Sequence, residues 1–586
     1  MSKNMSRLLP DWLRNYPKQH LGSDVLAGII VTILVIPQSL AYALLAGLPP
    51  QAGLYVSIFP VMAYAIFGSS MVQAVGPVAI TSIMCFSVLS PIAEPGSARY
   101  LGLAATLALG SGCLLLLAGV LRLGFLAQLL SRPVISGFIS GSAVLIVFSQ
   151  LKYLFGLHPE SSEAWAVLHA LIAHGHFDAA TAIGFLALLI LGFTRTGLAS
   201  LLGKLGMPSK PAAFVVRLMP LGVVLLATLG VVYFSLDRSA GVAVVGTIAE
   251  GVPGFSLFFP EWRELRLLAI PIILMAVIGM VQNISMAQAL AIKRHERIDA
   301  NGELIGLGAA NLVAAFHGGM PVGGGVSRSA VNLAAGAQTP LASIVAALSM
   351  LAIVAGAAPL FARLPLAVLA ASIIVAALSM IDLRGLRQAW QYDKADGIAA
   401  LGTASGVFLL GLEAGIALGI LLSLATLLYR ASMPHIAVIG RIPDSEHFRN
   451  VERHAVETIP GVMLLRIDES LFFGNLNAVE SRLASELEQA PTTRDVVLIM
   501  SAVNRVDTTA MEVLNDLNRD LANRDIRLHF AEVKGPVQDR LRLSPLWNAL
   551  SGQVFLSVND AFEQFSAAYT PSKSTVGPAI AEVDKT

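Results

Sequence analysis

The stretch from Gly318 to Asn332, GGMPVGGGVSRSAVN, sets a helix-breaking run and an arginine in the middle of an otherwise apolar chain. Backbone exposed to lipid cannot take this form, because each N–H and C=O in a bilayer core must be bonded internally. Irregular backbone survives there only when buried in protein or lining a watery cavity. Arg328 sharpens the point, since an ionisable side chain at membrane depth marks a functional site.

The rest of the chain makes the membrane reading firm. Of its 586 residues 55% are hydrophobic and 13% charged, with a mean hydropathy of +0.72, far from a soluble domain. Apolar runs able to cross a bilayer lie near 25–45, 52–68, 100–121, 131–150, 179–193, 212–234, 266–290, 303–317, 339–360, 365–381, 396–411 and 413–430. Two shorter runs follow Gly76-Pro77 and Gly323 to Gly325. Counting both as half-spans gives about fourteen elements, an even number that returns the C-terminus to the side of the N-terminus.

Arg122, Arg132, Arg195, Lys204, Lys210, Arg217, Lys293, Arg294, Arg297, Arg384, Arg387 and Lys394 then fall in cytoplasmic loops. That is the positive-inside bias, and it places both termini of a multi-pass protein in the cytosol, in the cytoplasmic (inner) membrane of the cell. Residues 1–24 carry Lys3, Arg7, Arg14 and Lys18 beside Trp12 and Tyr16, which reads as a cytosolic interfacial segment and not a signal peptide. Residues 235–262 form the longest outer loop and can pair as strands.

The third element of each half is interrupted, at Gly76-Pro77 and at Gly323 to Gly325, which suggests a seven-plus-seven inverted repeat crossing near the midplane. Amphipathic stretches near Trp165 and Trp390 follow the fifth elements. The expected transmembrane domain spans residues 25–431. From 432 to 569 strands at 462–467, 496–500 and 526–531 alternate with helices at 477–488 and 510–523, a small α/β domain. Residues 570–586 read as a disordered tail.

Two half-helices meeting end to end would aim unpaired N–H groups and about +0.5 charge each at one point, where an anion fits. Gly76 suits an N-cap, Pro77 the first helical position, and Ser327 a cap or ligand donor. Arg328 adds a permanent positive charge. Gln38 and Tyr42 share a helix face. Gln282, Asn283 and Ser285 form a polar patch of the kind that binds coupling ions, but it contains no carboxylate. Gly137 to Gly141 reads as a packing face. Cys85 and Cys113 sit in apolar runs and offer no disulfide framework or metal cluster. A net charge of +1 argues for no nucleic-acid partner. With no catalytic triad, nucleotide loop or metal spacing, the sequence implies neither an enzyme nor a cofactor.

The run from Ile36 to Tyr55, IPQSLAYALLAGLPPQAGLY, resembles the signature of SulP sulfate permeases, relatives of the solute carrier 26 anion transporters. Gly76-Pro-Val-Ala, the run Ile298 to Asn311 and Ser327-Arg-Ser-Ala-Val-Asn332 extend the resemblance. The C-terminal domain looks like the family's STAS domain, with Phe472-Phe-Gly-Asn475 and Val506-Asp-Thr-Thr-Ala510 at the expected places.

The resemblance implies core and gate domains, an anion held between the third and tenth helices, elevator-like movement and homodimers. It carries anion contact onto Gln38, Tyr42, Gly76, Pro77, Val78, Ala79, Val326, Ser327 and Arg328. Thr509 matches a position phosphorylated in some STAS-like relatives and otherwise reads as a helix N-cap. Gln282 stands where bacterial members usually carry Glu, the natural coupling group, and Gly323 where many have Thr or Ser. The expected function is secondary transport of a small anion, a sulfate-like oxyanion first, with a proton, sodium or another anion as coupled ion. Bicarbonate, chloride or dicarboxylate exchange is the alternative, as is an anion channel or sensor whose STAS domain reaches a cytosolic partner. A nucleobase permease is disfavoured by Ser327-Arg328.

Overall fold

The computed structural model describes residues 10–128, 131–157, 178–246, 260–569 and 572–573, with positions 167, 169, 171, 172, 248, 251, 254, 255 and 258 between them. Contacts divide the chain into two compact units, Met1–Leu424 and Ala425–Thr586.

Helices fill the first unit. In chain order they are α1 (Leu21–Leu45), α2 (Pro50–Tyr55), α3 (Phe59–Phe67), α4 (Ala79–Leu89), α5 (Ala98–Val120), α6 (Arg132–Leu154), α7 (Ala179–Phe193) and α8 (Ser209–Tyr233). Then follow α9 (Trp262–Arg294), α10 (Ala300–His317), α11 (Val326–Ala334), α12 (Leu341–Gly356), α13 (Leu366–Leu378), α14 (Leu383–Tyr392), α15 (Lys394–Leu410) and α16 (Leu412–Ser432). Among the described residues eight helical stretches are long and apolar enough to cross a membrane. The run expected as one span over 52–68 is two helices, because Pro60 at the second position of α3 has no N–H to give to Val56 O and so cannot continue α2. Trp165 and most of the tail after 569 lie outside the described residues, as do residues 1–9.

Small residues let the helices approach closely, as they must where lipid supplies no hydrophobic drive between spans. At the α5–α10 crossing a Cβ on Gly308 would meet Leu116 N at 2.7 Å, and one on Gly112 would meet Leu312 N at 2.9 Å. Gly137 and Gly141 lay α6 against the backbone of Ala400 and Ala404 in α15. Of the apolar clusters that result, two are large. One gathers Met84, Leu103, Leu107, Leu304 and Leu307, the other Leu40, Leu54, Leu154, Leu191 and Val368. In the stretch expected to pair as strands, Val244 forms one isolated bridge, to Pro365 outside it, flanked by Val245 N donating to Leu364 O at 2.9 Å.

Two short strands also belong to this unit: β1 (Val75–Gly76) and β2 (Gly323–Gly324). They pair antiparallel, Val75 opposite Gly324 and Gly76 opposite Gly323. The breakers noted in the sequence thus form a ribbon that satisfies its own backbone.

The second unit holds β3 (Ile436–Arg441), β4 (Phe448–Asn450), β5 (Glu457–Thr458), β6 (Val462–Ile467), β7 (Asp495–Ile499), β8 (Arg527–Ala531), β9 (Val554–Phe555) and β10 (Ser572–Lys573). Their order is β10-β5-β3-β6-β7-β8-β9, with β4 on β3. β6 through β9 run parallel, joined in part by α17 (Leu476–Gln489) and α18 (Thr508–Asn523). Every residue of β7 is buried. Val496 and Leu498 face the cluster with Leu483 and Leu514, while Val497 and Ile499 face Phe562 and Phe565 of α19 (Val558–Ala568). That two-sided burial is what a central parallel strand requires.

A candidate anion site where two half-helices meet

The ribbon orders the backbone around two helix starts. Val78 is the N-cap of α4, with φ −134° and ψ 150°. Gly325 is the N-cap of α11, with φ −86° and ψ 107°. Neither start has a side-chain cap. The first intrahelical bonds come from Ser82 N to Val78 O and from Ser329 N to Gly325 O. The N–H groups of the first three residues of each helix therefore precede any intrahelical partner. Antiparallel strands lead into helices that run apart, so both positive ends face the ribbon. The start of α4 lies two residues beyond the expected Gly76 N-cap, because Gly76 is held in the ribbon and Pro77 precedes the cap.

Arg328 closes the arrangement. Its side chain is 6% exposed, and Nη1 donates to Val75 O at 3.1 Å. Nη2 is buried and has no hydrogen-bond partner among the described residues. A Cβ on Gly76 would collide with Nη1, so only glycine leaves the guanidinium its place. Tyr42 on α1 interacts electrostatically with Arg328. Gln38 lies one turn earlier, and both are partly buried. Pro77, Val78 and Ala79 are buried at the start of α4, and Val326 is exposed at the start of α11. Ser327 is in the first turn of α11 but its side chain lies outside the described residues.

Side chains the sequence reading passed over hold this geometry. Ser329 Oγ accepts from Ala74 N at 3.0 Å. Asn332 Nδ2 donates to Val72 O at 2.9 Å. Asn311 clamps the lead-in to β2 from both sides, donating to Val322 O at 3.0 Å and accepting from Val322 N at 2.9 Å. An amide matches a peptide group in this way because it offers one donor and one acceptor side by side.

The polar patch is rearranged. Gln282 Nε2 donates to Gly324 O at 3.3 Å. Asn283 donates to Glu303 Oε2 at 2.8 Å, so the patch does contact a carboxylate, supplied by α10. Ser285 is exposed and stands apart from it. Glu303 is visible in the sequence only as one acid in the apolar run 303–317. In the second unit Thr509 is exposed in the first turn of α18. The cap there is Asp507, accepting from Ala510 N at 2.7 Å, not Thr509. Among the described residues no cluster of His, Cys, Asp and Glu could hold a metal.

Residues 21–403 match the sulfate permease family. The chain belongs to that family. Residues 453–561 of this sulfate permease family member match the STAS domain. It is 34% identical over 559 residues to a protein of Mycobacterium tuberculosis named "Probable sulfate transporter", covering 94% of this chain and 96% of that one. Its fold is similar to murine solute carrier 26 member A9, an anion transporter in the inward-facing state, with TM-score 0.84 and 22% identity over 97% and 95% of the two chains. It is also similar to the transmembrane domain of a cyanobacterium bicarbonate transporter, BicA, with TM-score 0.58 and 21% identity over 68% and 98%. The sulfate permease family consists of transporters and not enzymes.

Proposed function

We propose that this protein is a secondary transporter that moves a small anion across the cytoplasmic membrane, holding it between the N-termini of α4 and α11. One observation carries the reading: a buried arginine whose Nη2 has no partner among the described residues, set beside two helix starts without a side-chain cap. A buried donor without a partner costs about 1–3 kcal/mol, more when charged, and a bound anion removes that cost. One Arg and two helix ends balance roughly one to two negative charges. Sulfate is the first candidate because relatives 34% and 35% identical to this chain carry that name. Bicarbonate is the second, from the similarity to BicA.

The transport cycle is an elevator-like movement. Both termini are cytosolic, and residues 432–569 act as a STAS regulator in which exposed Thr509 is open to modification. The protein works as a homodimer. Gln38, Tyr42, Pro77, Val78, Ala79 and Val326 line or shape the path around Arg328. The test is uptake of radiolabelled sulfate, bicarbonate, chloride and succinate into proteoliposomes, with and without proton and sodium gradients. Saturable counterflow is expected for at least one anion; none for any anion overturns the reading, and unsaturable flux would favour a channel.

A further inference from the structure

The ribbon has a second face. Side-chain directions alternate along a strand, so the Gly76 side carries Arg328 and the Gly324 side faces the opposite way. On that side a Cβ at Gly324 would meet Gln73 Nε2 at 2.6 Å and Asn283 Oδ1 at 2.8 Å. Behind Asn283 stands Glu303, fully buried at 0% exposure. Its Oε1 accepts from Ser69 N at 3.1 Å, Ser69 Oγ at 2.8 Å and Ser70 N at 2.8 Å. Its Oε2 accepts from Tyr64 Oη at 2.6 Å and Asn283 Nδ2 at 2.8 Å. No Lys or Arg among the described residues pairs with it.

Five donors converge on the two oxygens, three of them N–H groups that cannot accept a proton and two of them hydroxyls, an arrangement that suits an ionised carboxylate. That charge dictates a chain of amide orientations. Asn283 must turn Nδ2 toward Glu303, so its Oδ1 faces Gln73. Gln73 must then turn Nε2 toward Asn283. What remains is Gln73 Oε1, a buried acceptor with no partner among the described residues, on a side chain 2% exposed.

We propose that Glu303 sets the affinity of the anion site, as a fixed negative charge behind the ribbon that also decides, through Asn283, which end of the Gln73 amide is left free. This rests on the reading of the Arg328 face as the anion site. The charge opposes the helix ends and Arg328, weakening the hold on the anion so that it can leave; low-dielectric surroundings keep it from being screened. Glu303 is a positioning residue that touches no substrate.

Glu303→Gln reverses the chain. The oxygen of the new amide still serves Ser69 and Ser70, so its nitrogen faces Asn283, which must present Oδ1. Gln73 must then turn its own Oε1 to Asn283 and leave Nε2 as the free end. A negative charge is lost, which favours an anion, and the free end of Gln73 changes from acceptor to donor. In the double variant Glu303→Gln/Asn283→Asp, the new carboxylate at position 283 accepts from both amides, so the original orientation of Gln73 and the charge are restored, with the charge one residue nearer the ribbon.

Concentration-dependent uptake of radiolabelled sulfate and bicarbonate by full-length protein in proteoliposomes reads this out. KM for the transported anion falls on the order of five-fold in E303Q, turnover falls with it, and KM returns to the wild-type value or above in the double variant. A merely structural role would leave KM unchanged or raise it, and the double variant would not reverse it; either result overturns the inference. If E303Q does not accumulate, the double variant alone decides, and a KM below wild type overturns the inference. Absence of uptake by wild type would overturn the reading of the site itself, whereas wild-type uptake with an unmoved KM in E303Q overturns only the role of Glu303.

Discussion

The guanidinium of Arg328 occupies the space a side chain at Gly76 would need, so an arginine on one half-helix and a glycine leading into the other are a matched pair across more than half the chain's membrane unit. Gly76 cannot gain a side chain unless Arg328 moves. The ribbon between them brings two helix starts and one buried charge to a single place.

Gly76→Ala should therefore act on Arg328. The added methyl group displaces the guanidinium from Val75 O, and anion uptake falls at least ten-fold in kcat/KM, about 1.4 kcal/mol of lost stabilisation. Gly96, whose Cβ would meet nothing within 4 Å, is the control; its φ of +79° predicts a small loss of stability but not of transport. Uptake kinetics of both variants separate the outcomes.

Asn311→Asp should uncouple the lead-in to β2. The carboxylate still accepts from Val322 N but cannot donate to Val322 O or Leu307 O. Leaving buried carbonyls unpaired costs about 1–3 kcal/mol. The thermal midpoint of the purified protein falls, and Asn311→Leu falls at least as far because it loses the acceptor as well.

Ser329→Ala removes the acceptor of Ala74 N, whereas Ser285→Ala, at an exposed position, serves as the control. A loss of about 1 kcal/mol is expected for the first. Thermal midpoints of the two variants compare them directly.

The second unit should lose stability in mild acid. His529 Nε2 donates to Asp495 Oδ1 at 3.0 Å while Nδ1 accepts from Gln553 N at 3.1 Å, which requires the neutral ring. Burial holds its pKa below the ordinary 6.5, with Asp495 acting against the shift. The unfolded chain thus takes up a proton near pH 6.5 that the folded domain refuses. Stability is complete above that pH and declines as pH falls toward the folded value, by up to about 1.4 kcal/mol per pH unit. The urea midpoint of residues 425–586 expressed alone, measured between pH 7.5 and 5.5, should show the slope, and His529→Phe should flatten it.

How far the sequence carried these conclusions depended on distance along the chain. Both half-helices were legible because glycine, proline and an arginine inside apolar runs admit few explanations. The strand at 462–467 and the helix reaching Asn523 followed from local periodicity. Glu303 was not legible as a partner of Ser69 and Tyr64, because 234 and 239 residues separate them. Ser329 was passed over for Ser327 because the choice depends on where α11 begins. One residue around a helix turns a side chain by about 100°, and only the ribbon fixes that start. Strands β4, β5 and β10 are two or three residues long, too short for an alternating pattern to register.

The central claim is that the buried, unpartnered end of Arg328 holds the transported anion. Initial rates of radiolabelled sulfate and bicarbonate uptake, measured against concentration for wild type and Arg328→Gln in proteoliposomes, test it most directly. A charge-assisted hydrogen bond contributes about 1.5–3 kcal/mol, so kcat/KM should fall between about ten-fold and a hundred-fold with the protein still folded. Equal kcat/KM in the two proteins would contradict the account.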